Sequence, residues 1–235
     1  MRKYVAFDLE TTGLSPESDQ IIEIGAVKIQ DGKITGKYNC ILYPEIPVSD
    51  FIVELTGISR EMLAKGIPLQ QGVEGFLRFS EGFPVLGHNL NFDYSFMKTA
   101  AKAMQRPFEK EGVDTLAAAR KLLRGLKNKK LETLCAHYDY VNQAAHRAYD
   151  DALATAVVFE QMKKEFPGEE EAFQPKPLQY RVRKERPITE KQKRYLKDLK
   201  KYHTIKDAIN IDQMTQREAS KEIDRIILRY GVMKR

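Results

Sequence analysis

The stretch KYVAFDLETTG, from Lys3 to Gly13, is an apolar run that ends in two acids one residue apart. Side chains of a β-strand alternate between its faces, so we expect Asp8 and Glu10 on one face, roughly 6–7 Å apart along the strand. Paired carboxylates repel each other unless a cation lies between them. Oxygen ligands at this spacing suit Mg²⁺ or Mn²⁺, although a solvated strand end would carry the same residues.

The following residues predict a β-hairpin and then helices that alternate with short buried strands. Ile21 to Ile29 is rich in β-branched residues, and a turn dipeptide, Asp31-Gly32, precedes a return strand that ends near Tyr43. The pattern then predicts helices over 61–65, 69–79, 93–104, 115–123, 131–138 and 148–166, with a short strand over 84–87. This order of elements indicates an α/β layer fold.

Two later segments also carry acids at predicted helix starts. GHNLNFD, residues 87–93, follows a short apolar strand, and the helix dipole alone would favour Asp93 at the start of the next helix. HRAYDD opens a long helix in which His146 and Asp151 could face one cleft. A capping acid pair beside an exposed histidine would produce the same pattern. Taken alone, each segment is better explained by a structural role.

Taken together, the three segments resemble the motifs of the DEDD exonuclease superfamily, in the histidine-bearing branch typified by the proofreading subunit or domain of bacterial replicative DNA polymerases. Phe7 to Gly13 resembles the acid-x-acid-Thr-Thr-Gly motif, Asp93 lies in the second motif, and His146 precedes Asp151 by five residues in the third. Further matches lie at residues 21–26, 55–58, 114–116 and 130–134. The resemblance covers roughly residues 3–165 and implies a ribonuclease H-like three-layer α/β/α fold with a mixed sheet.

The resemblance also implies which residues carry out the chemistry. In this family four carboxylates hold two divalent cations, Mg²⁺ or Mn²⁺, and a histidine is the general base for 3′→5′ removal of nucleotides. The corresponding positions here are Asp8, Glu10, Asp93, Asp151 and His146. The implied contacts to the terminal nucleotide are Leu9, Thr11, Thr12, Leu55, Thr56 and Phe92, together with His88 and Asn89, which would position either Asp93 or the 3′ end.

The sequence predicts three successive regions. Residues 1–166 are expected to form the exonuclease domain, and residues 167–187, with scattered Pro and Gly and a run of three Glu, are expected to form a linker. Residues 188–235 are expected to form a small helical module with two capping boxes, Thr189 with Gln192 and Thr215 with Glu218.

Charge is divided unevenly between the two ends of the chain. Residues 1–175 hold 21 Lys and Arg against 25 Asp and Glu, whereas residues 176–235 hold 18 against 8. A basic tail indicates a polyanionic partner, nucleic acid before membrane. Docking to a DNA polymerase or another replication or repair protein, or a plain solvated hairpin, would fit the same tail.

Composition and residue counts exclude several classes of protein. No run approaches the roughly 18 apolar residues of a membrane-spanning helix, and the first residues lack an apolar signal core, which predicts a cytoplasmic location. Cys40 and Cys135 are too few for a zinc site or a disulfide framework. Three alternatives to a DNA exonuclease remain: an RNA-trimming exoribonuclease, a non-catalytic nucleic-acid-binding protein, and an adaptor that acts through its tail. The polymerase-like motifs favour DNA over RNA.

Overall fold

Six strands form one mixed sheet in the first of the chain's two units, Met1–Val182. They are β1 (Lys3–Thr11), β2 (Ile21–Gln30), β3 (Lys33–Ile41), β4 (Val85–Gly87), β5 (Glu111–Asp114) and β6 (Lys176–Pro177). Across the sheet the order is β3-β2-β1-β4-β5-β6, and neighbours are antiparallel except that β4 is parallel to β1 and β5. The computed structural model describes residues 1–182, 186–205 and 209–233.

Helices cover both faces of this sheet. They are α1 (Asp50–Thr56), α2 (Arg60–Ala64), α3 (Leu69–Phe79), α4 (Leu90–Ala103), α5 (Thr115–Leu122), α6 (Leu131–His137) and α7 (Ala148–Glu165). Along β1, Tyr4 and Ala6 pack with α5, α6 and α7, whereas Val5 and Phe7 pack with α3 and α4. Alternation along a strand therefore supplies two apolar cores. The predicted three-layer α/β/α fold is confirmed.

Local sequence signals place several helix starts. The hydroxyls of Ser59 and Ser49 each accept a hydrogen bond from the third backbone N–H of α2 and α1, whereas the carboxylate of Asp114 accepts one from the second backbone N–H of α5. The start of α4 lies at Leu90 rather than at the predicted residue 93. Asn89, the residue before the helix, has a φ of 67°, and this left-handed conformation ends the preceding loop.

The first unit extends past the predicted boundary at residue 166. Phe173 is buried, and its ring packs edge-on against Phe159 with the centroids 5.7 Å apart. Shortly afterwards, β6 pairs with β5 at the edge of the sheet. The prediction of a linker over residues 167–182 is therefore wrong, because one buried ring and a two-residue strand leave no periodic pattern in the sequence. Residues 183–185 of that prediction lie outside the described residues.

The second unit, Arg183–Arg235, contains the helical pair α8 (Glu190–Tyr202) and α9 (Gln216–Tyr230). Both predicted capping boxes are present at their N-termini. The buried core consists of Leu196, Leu199 and Ile226. Tyr195 and Tyr230, on the same two helices, are 36% and 46% exposed. In the ranges that the structure describes, no helix is long and apolar enough to cross a bilayer.

Candidate active site

Two carboxylates of β1 lie at the C-terminal end of the strand. Asp8 and Glu10 alternate with Leu9, which is buried in the core under α3 and α4, so both acids face α7. Strand pairing sets Asp8 opposite Gly25 and Glu10 opposite Glu23 of β2. Both carboxylates are half-buried. The sheet thus presents the two predicted acids to the helix that carries the third motif.

Two residues of β2 hold the first turn of α7 against the sheet. Glu23 is fully buried, and its carboxylate accepts hydrogen bonds from Arg147 Nη2 at 2.8 Å, Arg147 Nε at 3.2 Å and the backbone N–H of Ala148 at 3.1 Å. A Cβ on Gly25 would lie 2.0 Å from the backbone nitrogen of Tyr149. Only glycine therefore lets the helix approach so closely.

Sequence reasoning did not assign a role in the site to Glu23 or Gly25, and used them only as part of a family match. A signal was available. An acid and a glycine interrupt the run Ile21–Ile29, which is otherwise dominated by apolar residues. An acid in a strand buried on both faces needs a partner, and a glycine in a strand often marks a close approach of backbone.

The start of α7 orients Asp151. His146 has a φ of 63°, in the left-handed region, and its backbone N–H donates to Asp151 Oδ2 at 3.0 Å. Asn142 Nδ2 donates to Oδ1 of the same carboxylate at 2.5 Å. One potential ligand atom from each of Glu10, His146 and Asp151 lies within 4.8 Å of the other two. The strand acid, the helix acid and the exposed imidazole therefore meet at one point.

The fourth acid reaches the site from the other face of the sheet. Asp93 lies in the first turn of α4 and is only 3% exposed. Its Oδ1 accepts a hydrogen bond from the backbone N–H of Leu9 at 3.1 Å. This bond ties the start of α4 to β1 between the two strand acids.

Burial and mutual repulsion act against ionisation of these acids. Burial raises the pKa of Asp8 well above its ordinary value, and the charges of Asp93, Glu10 and Asp151 raise it further. Burial, followed by the charge of Asp151, raises the pKa of Glu10 to about 8. Burial also raises the pKa of Asp93 and of Asp151, against the hydrogen bonds that each carboxylate accepts. Four carboxylates in this state call for a compensating positive charge.

A pocket of about 400 Å³ opens beside Glu10. Its lining includes five of the predicted substrate contacts: Leu9, Thr11, Thr12, Leu55 and Phe92. It also includes Leu14 and Phe51, which are 85% and 68% exposed and were not predicted. The local sequence does not distinguish an apolar side chain at a pocket rim from one in a core, so these two residues could not be selected in advance.

The hydroxyls of Thr11 and Thr12 hold the loop that follows β1. Thr11 Oγ1 donates to the carbonyl of Gly13 at 2.7 Å, and Thr12 Oγ1 accepts from the backbone N–H of Gln20 at 2.9 Å. These hydrogen bonds fix the loop, so both residues shape the pocket as well as lining it.

Three other predicted substrate contacts have different surroundings. Thr56 is buried and its hydroxyl donates to the backbone of α1. His88 is half-buried, with Nδ1 2.9 Å from Thr115 Oγ1, and burial lowers the pKa of its ring. Asn89 donates its backbone N–H to Asp114 at 3.0 Å. Within residues 1–182, all described, none of the three lines the pocket.

Residues 5–159 match the model of the RNase_T exonuclease family. The chain belongs to this exonuclease family. It is 43% identical over 160 residues to the PolC-type DNA polymerase III of Caldanaerobacter subterraneus subsp. tengcongensis, and 41% identical over 166 residues to that of Thermotoga petrophila. Each match covers 68% of this chain but only 11% and 12% of the polymerases, so the chain spans about a tenth of the length of these relatives.

Solved structures of exonucleases share the fold. A zinc-bound complex of Escherichia coli exonuclease I with single-stranded DNA has a TM-score of 0.64 at 20% identity, over 72% of this chain and 42% of that one. Exonuclease X with 5′-overhanging duplex DNA gives 0.58 at 23% identity, over 73% and 96%. A 3′-exonuclease that recognises the histone mRNA stem-loop gives 0.60 at 16% identity, over 77% and 72%.

The donor set of this exonuclease-family chain fits divalent metal ions. Carboxylate oxygens and one imidazole converge, and the charges of neighbouring acids raise the pKa of Asp8 and Glu10, only partly opposed at Glu10 by Arg147. A bound divalent cation would supply positive charge and lower those pKa values. Hard oxygen donors favour ions such as Mg²⁺ and Mn²⁺.

Proposed function

We propose that this chain is a metal-dependent exonuclease that removes nucleotides from single-stranded or frayed 3′ ends of DNA. The observation that carries the proposal is the convergence of four carboxylates and one imidazole beside a pocket with an apolar rim. DNA is favoured because relatives with 43% and 41% identity are DNA polymerases, and exonuclease I is bound to single-stranded DNA in its complex.

Each side chain has a role that follows from its surroundings. Asp8, Glu10, Asp93 and Asp151 would hold two divalent cations, Mg²⁺ or Mn²⁺. Such a pair stabilises charge on the attacking and leaving oxygens of phosphodiester hydrolysis. His146 would accept the proton of the attacking water, and its exposed ring can pass that proton to solvent. The hydrogen bond from its backbone to Asp151 keeps the imidazole beside the carboxylates.

The pocket is suited to the last nucleotide of a strand. Leu9, Leu55 and Phe92 offer apolar contacts for a base, and Thr11 and Thr12 lie where the sugar hydroxyl would meet the acids. Every base has a π-face, so apolar packing tolerates any sequence. A paired end would first have to separate, and we therefore expect frayed ends to be cut faster than paired ones.

Other expected partners stay predictions. The second unit would bind nucleic acid or dock onto a DNA polymerase or another replication or repair protein, and the cytoplasmic location rests on the sequence alone. His88, Asn89 and Thr56 stay predictions as substrate contacts; His88 and Asn89 hydrogen-bond to Thr115 and Asp114, and Thr56 to the backbone of α1.

The decisive experiment incubates the protein with matched single-stranded DNA and RNA labelled at either end, in Mg²⁺, Mn²⁺ or EDTA. We expect a metal-dependent ladder that shortens from the 3′ end of DNA, and no ladder with Asp8→Ala. A ladder that persists in Asp8→Ala would come from a contaminating nuclease.

The same experiment separates the alternatives. Faster shortening of RNA than of DNA would replace the proposal with an RNA-trimming exoribonuclease; a 3′-exonuclease that recognises the histone mRNA stem-loop shares this fold. Binding that resists EDTA without any cleavage would indicate a non-catalytic binding protein. An adaptor that works through its tail would keep its role in Asp8→Ala.

A further inference from the structure

The helix α8 presents cations and tyrosines on the side away from its buried residues. Leu196 and Leu199 face the core of the second unit. At 3.6 residues per turn, six other positions fall on a single stripe along the opposite side of the helix. We call these six the α8 stripe, and every one is exposed: Lys191, Arg194, Tyr195, Asp198, Lys201 and Tyr202.

Cations elsewhere on α8 are partly neutralised within the unit, unlike those of the stripe. Lys193 Nζ lies 3.1 Å from Glu190 and 3.3 Å from Asp212, and Lys197 Nζ lies 3.9 Å from Asp212. The three stripe cations have no ion pair with any described residue in 186–205 or 209–233; they are Lys191, Arg194 and Lys201. The positive charge of the stripe is therefore available to a partner.

The two tyrosines of the stripe leave ring surface open to solvent. Tyr195 is 36% and Tyr202 51% exposed. They are seven residues apart, which is about 10 Å along a helix axis. At the end of α8 the ring of His203 packs edge-on against Tyr202 and stacks on Tyr230, so one side of Tyr202 is already supported. Exposed rings between cations can stack on bases while the cations contact phosphates.

The surroundings favour a polyanion over a protein partner. Residues 183–235 hold 16 Lys and Arg against 8 Asp and Glu. The stripe contains no aliphatic side chain that could form the apolar centre of a protein–protein interface. Its two lysines are of a residue type that is depleted at such centres. Phosphate neutralisation by cations supplies most of the affinity in sequence-independent binding of nucleic acid.

We propose that the α8 stripe is a binding site for single-stranded nucleic acid, with Lys191, Arg194 and Lys201 on phosphates and Tyr195 and Tyr202 against bases. This site does not depend on the proposed exonuclease activity, because its contacts involve none of the metal-binding acids. Stacking and phosphate contacts do not distinguish DNA from RNA, so both should bind.

The test uses the full chain in EDTA, so that metal-dependent cleavage does not occur, with fluorescence anisotropy of labelled oligothymidylate and oligouridylate over a range of salt concentrations. For K191E/R194E/K201E we expect affinity to fall at least about tenfold and the salt slope to decrease by about 2, since each phosphate contact on a single strand contributes about 0.7. K33E/K102E/R106E carries the same charge change on exposed residues of the first unit and should keep the parent slope.

A second pair of substitutions separates stacking from charge. Y195A/Y202A should lower affinity about fivefold or more and leave the salt slope unchanged, because stacking releases no counterions. Equal affinity and slope in the parent and in both sets of variants would overturn the proposal and favour protein docking through this unit. Equal losses in the K33E/K102E/R106E control would also overturn it, by showing that only net charge matters. Circular dichroism of each variant checks that the second unit remains helical.

Discussion

The first unit gathers negative charge in a partly buried cleft, whereas the second spreads positive charge over an exposed helix. In the cleft, burial and repulsion raise the pKa of Asp8 and Glu10, so their ionisation requires a compensating cation. On the α8 stripe, water solvates each cation separately. Like charges in a cleft thus indicate a site for a small ion, and like charges on a helix surface indicate a site for a polyanion.

Ion pairs of the two units differ in the same way. Glu23 is fully buried beneath Arg147 and also accepts a hydrogen bond from the start of α7, whereas the Glu190 side chain that pairs with Lys193 is 84% exposed. Breaking a buried pair leaves an uncompensated charge, while an exposed pair exchanges its partner for water.

If Asp151 is a metal ligand as proposed, Asp151→Asn should reduce hydrolysis by at least about three orders of magnitude, because the loss of such a ligand removes several kcal/mol of transition-state stabilisation. The matched control is Asp150→Asn at the neighbouring position. Asn142 and His146 donate their hydrogen bonds to Asp151 and not to this acid. Single-turnover rates on single-stranded DNA measure both variants. Equal losses would show that the offset from His146 does not identify the functional acid.

Gly25→Ala should lower the free energy of unfolding by about 3 kcal/mol and also impair hydrolysis, because the new Cβ would collide with backbone of α7 and displace the helix. Gly125→Ala is the control, since a Cβ there meets nothing within 4 Å. Chemical denaturation checks the stability of both. A stable, fully active Gly25→Ala would contradict the close approach of strand and helix.

Glu23→Gln should lower the free energy of unfolding by about 2 kcal/mol, because a neutral amide replaces the buried carboxylate that holds Arg147 and the start of α7. Denaturation in urea measures this loss. Unchanged stability would mean that packing at Gly25 alone positions the helix.

The stability of the metal-free protein should fall as pH rises from about 4.5 to about 8. The pKa of Glu10 is raised from 4.5 to about 8 in the folded state, so the folded chain binds this proton more tightly than the unfolded chain does, and the advantage disappears as the proton is lost. Thermal melting in EDTA across this range measures the fall. Glu10→Gln should make the fall smaller, leaving the part due to the raised pKa values of the other acids, and saturating Mg²⁺ should reduce it further; a rise with pH in EDTA would contradict the prediction.

Lys193→Gln should leave thermal melting of the second unit unchanged within error, because its carboxylate partners on Glu190 and Asp212 remain solvated. The comparison with Glu23→Gln is direct, since each substitution removes one charge from an ion pair. A loss as large as that in Glu23→Gln would remove the distinction between the two units.

The sequence by itself determined the elements with strong local signals and the chemical types at the site. The hairpin of β2 and β3, the limits of α3 at Leu69 and Phe79, and both capping boxes follow from periodicity and turn chemistry. The motifs around Asp8, Asp93 and Asp151 were sufficient to recognise the family, because members of one fold family carry such motifs in the same order along the chain.

Only the tertiary structure decided how these residues meet. It alone revealed that Glu23 and Gly25 position α7, that β6 extends the sheet, and that Leu14 and Phe51 complete the pocket. The physical reason is that a local pattern reports the conformation of its own segment. Contact between segments far apart in the chain depends on packing, so the pattern of β2 could mark its acid and its glycine as unusual but could not say which segment they contact.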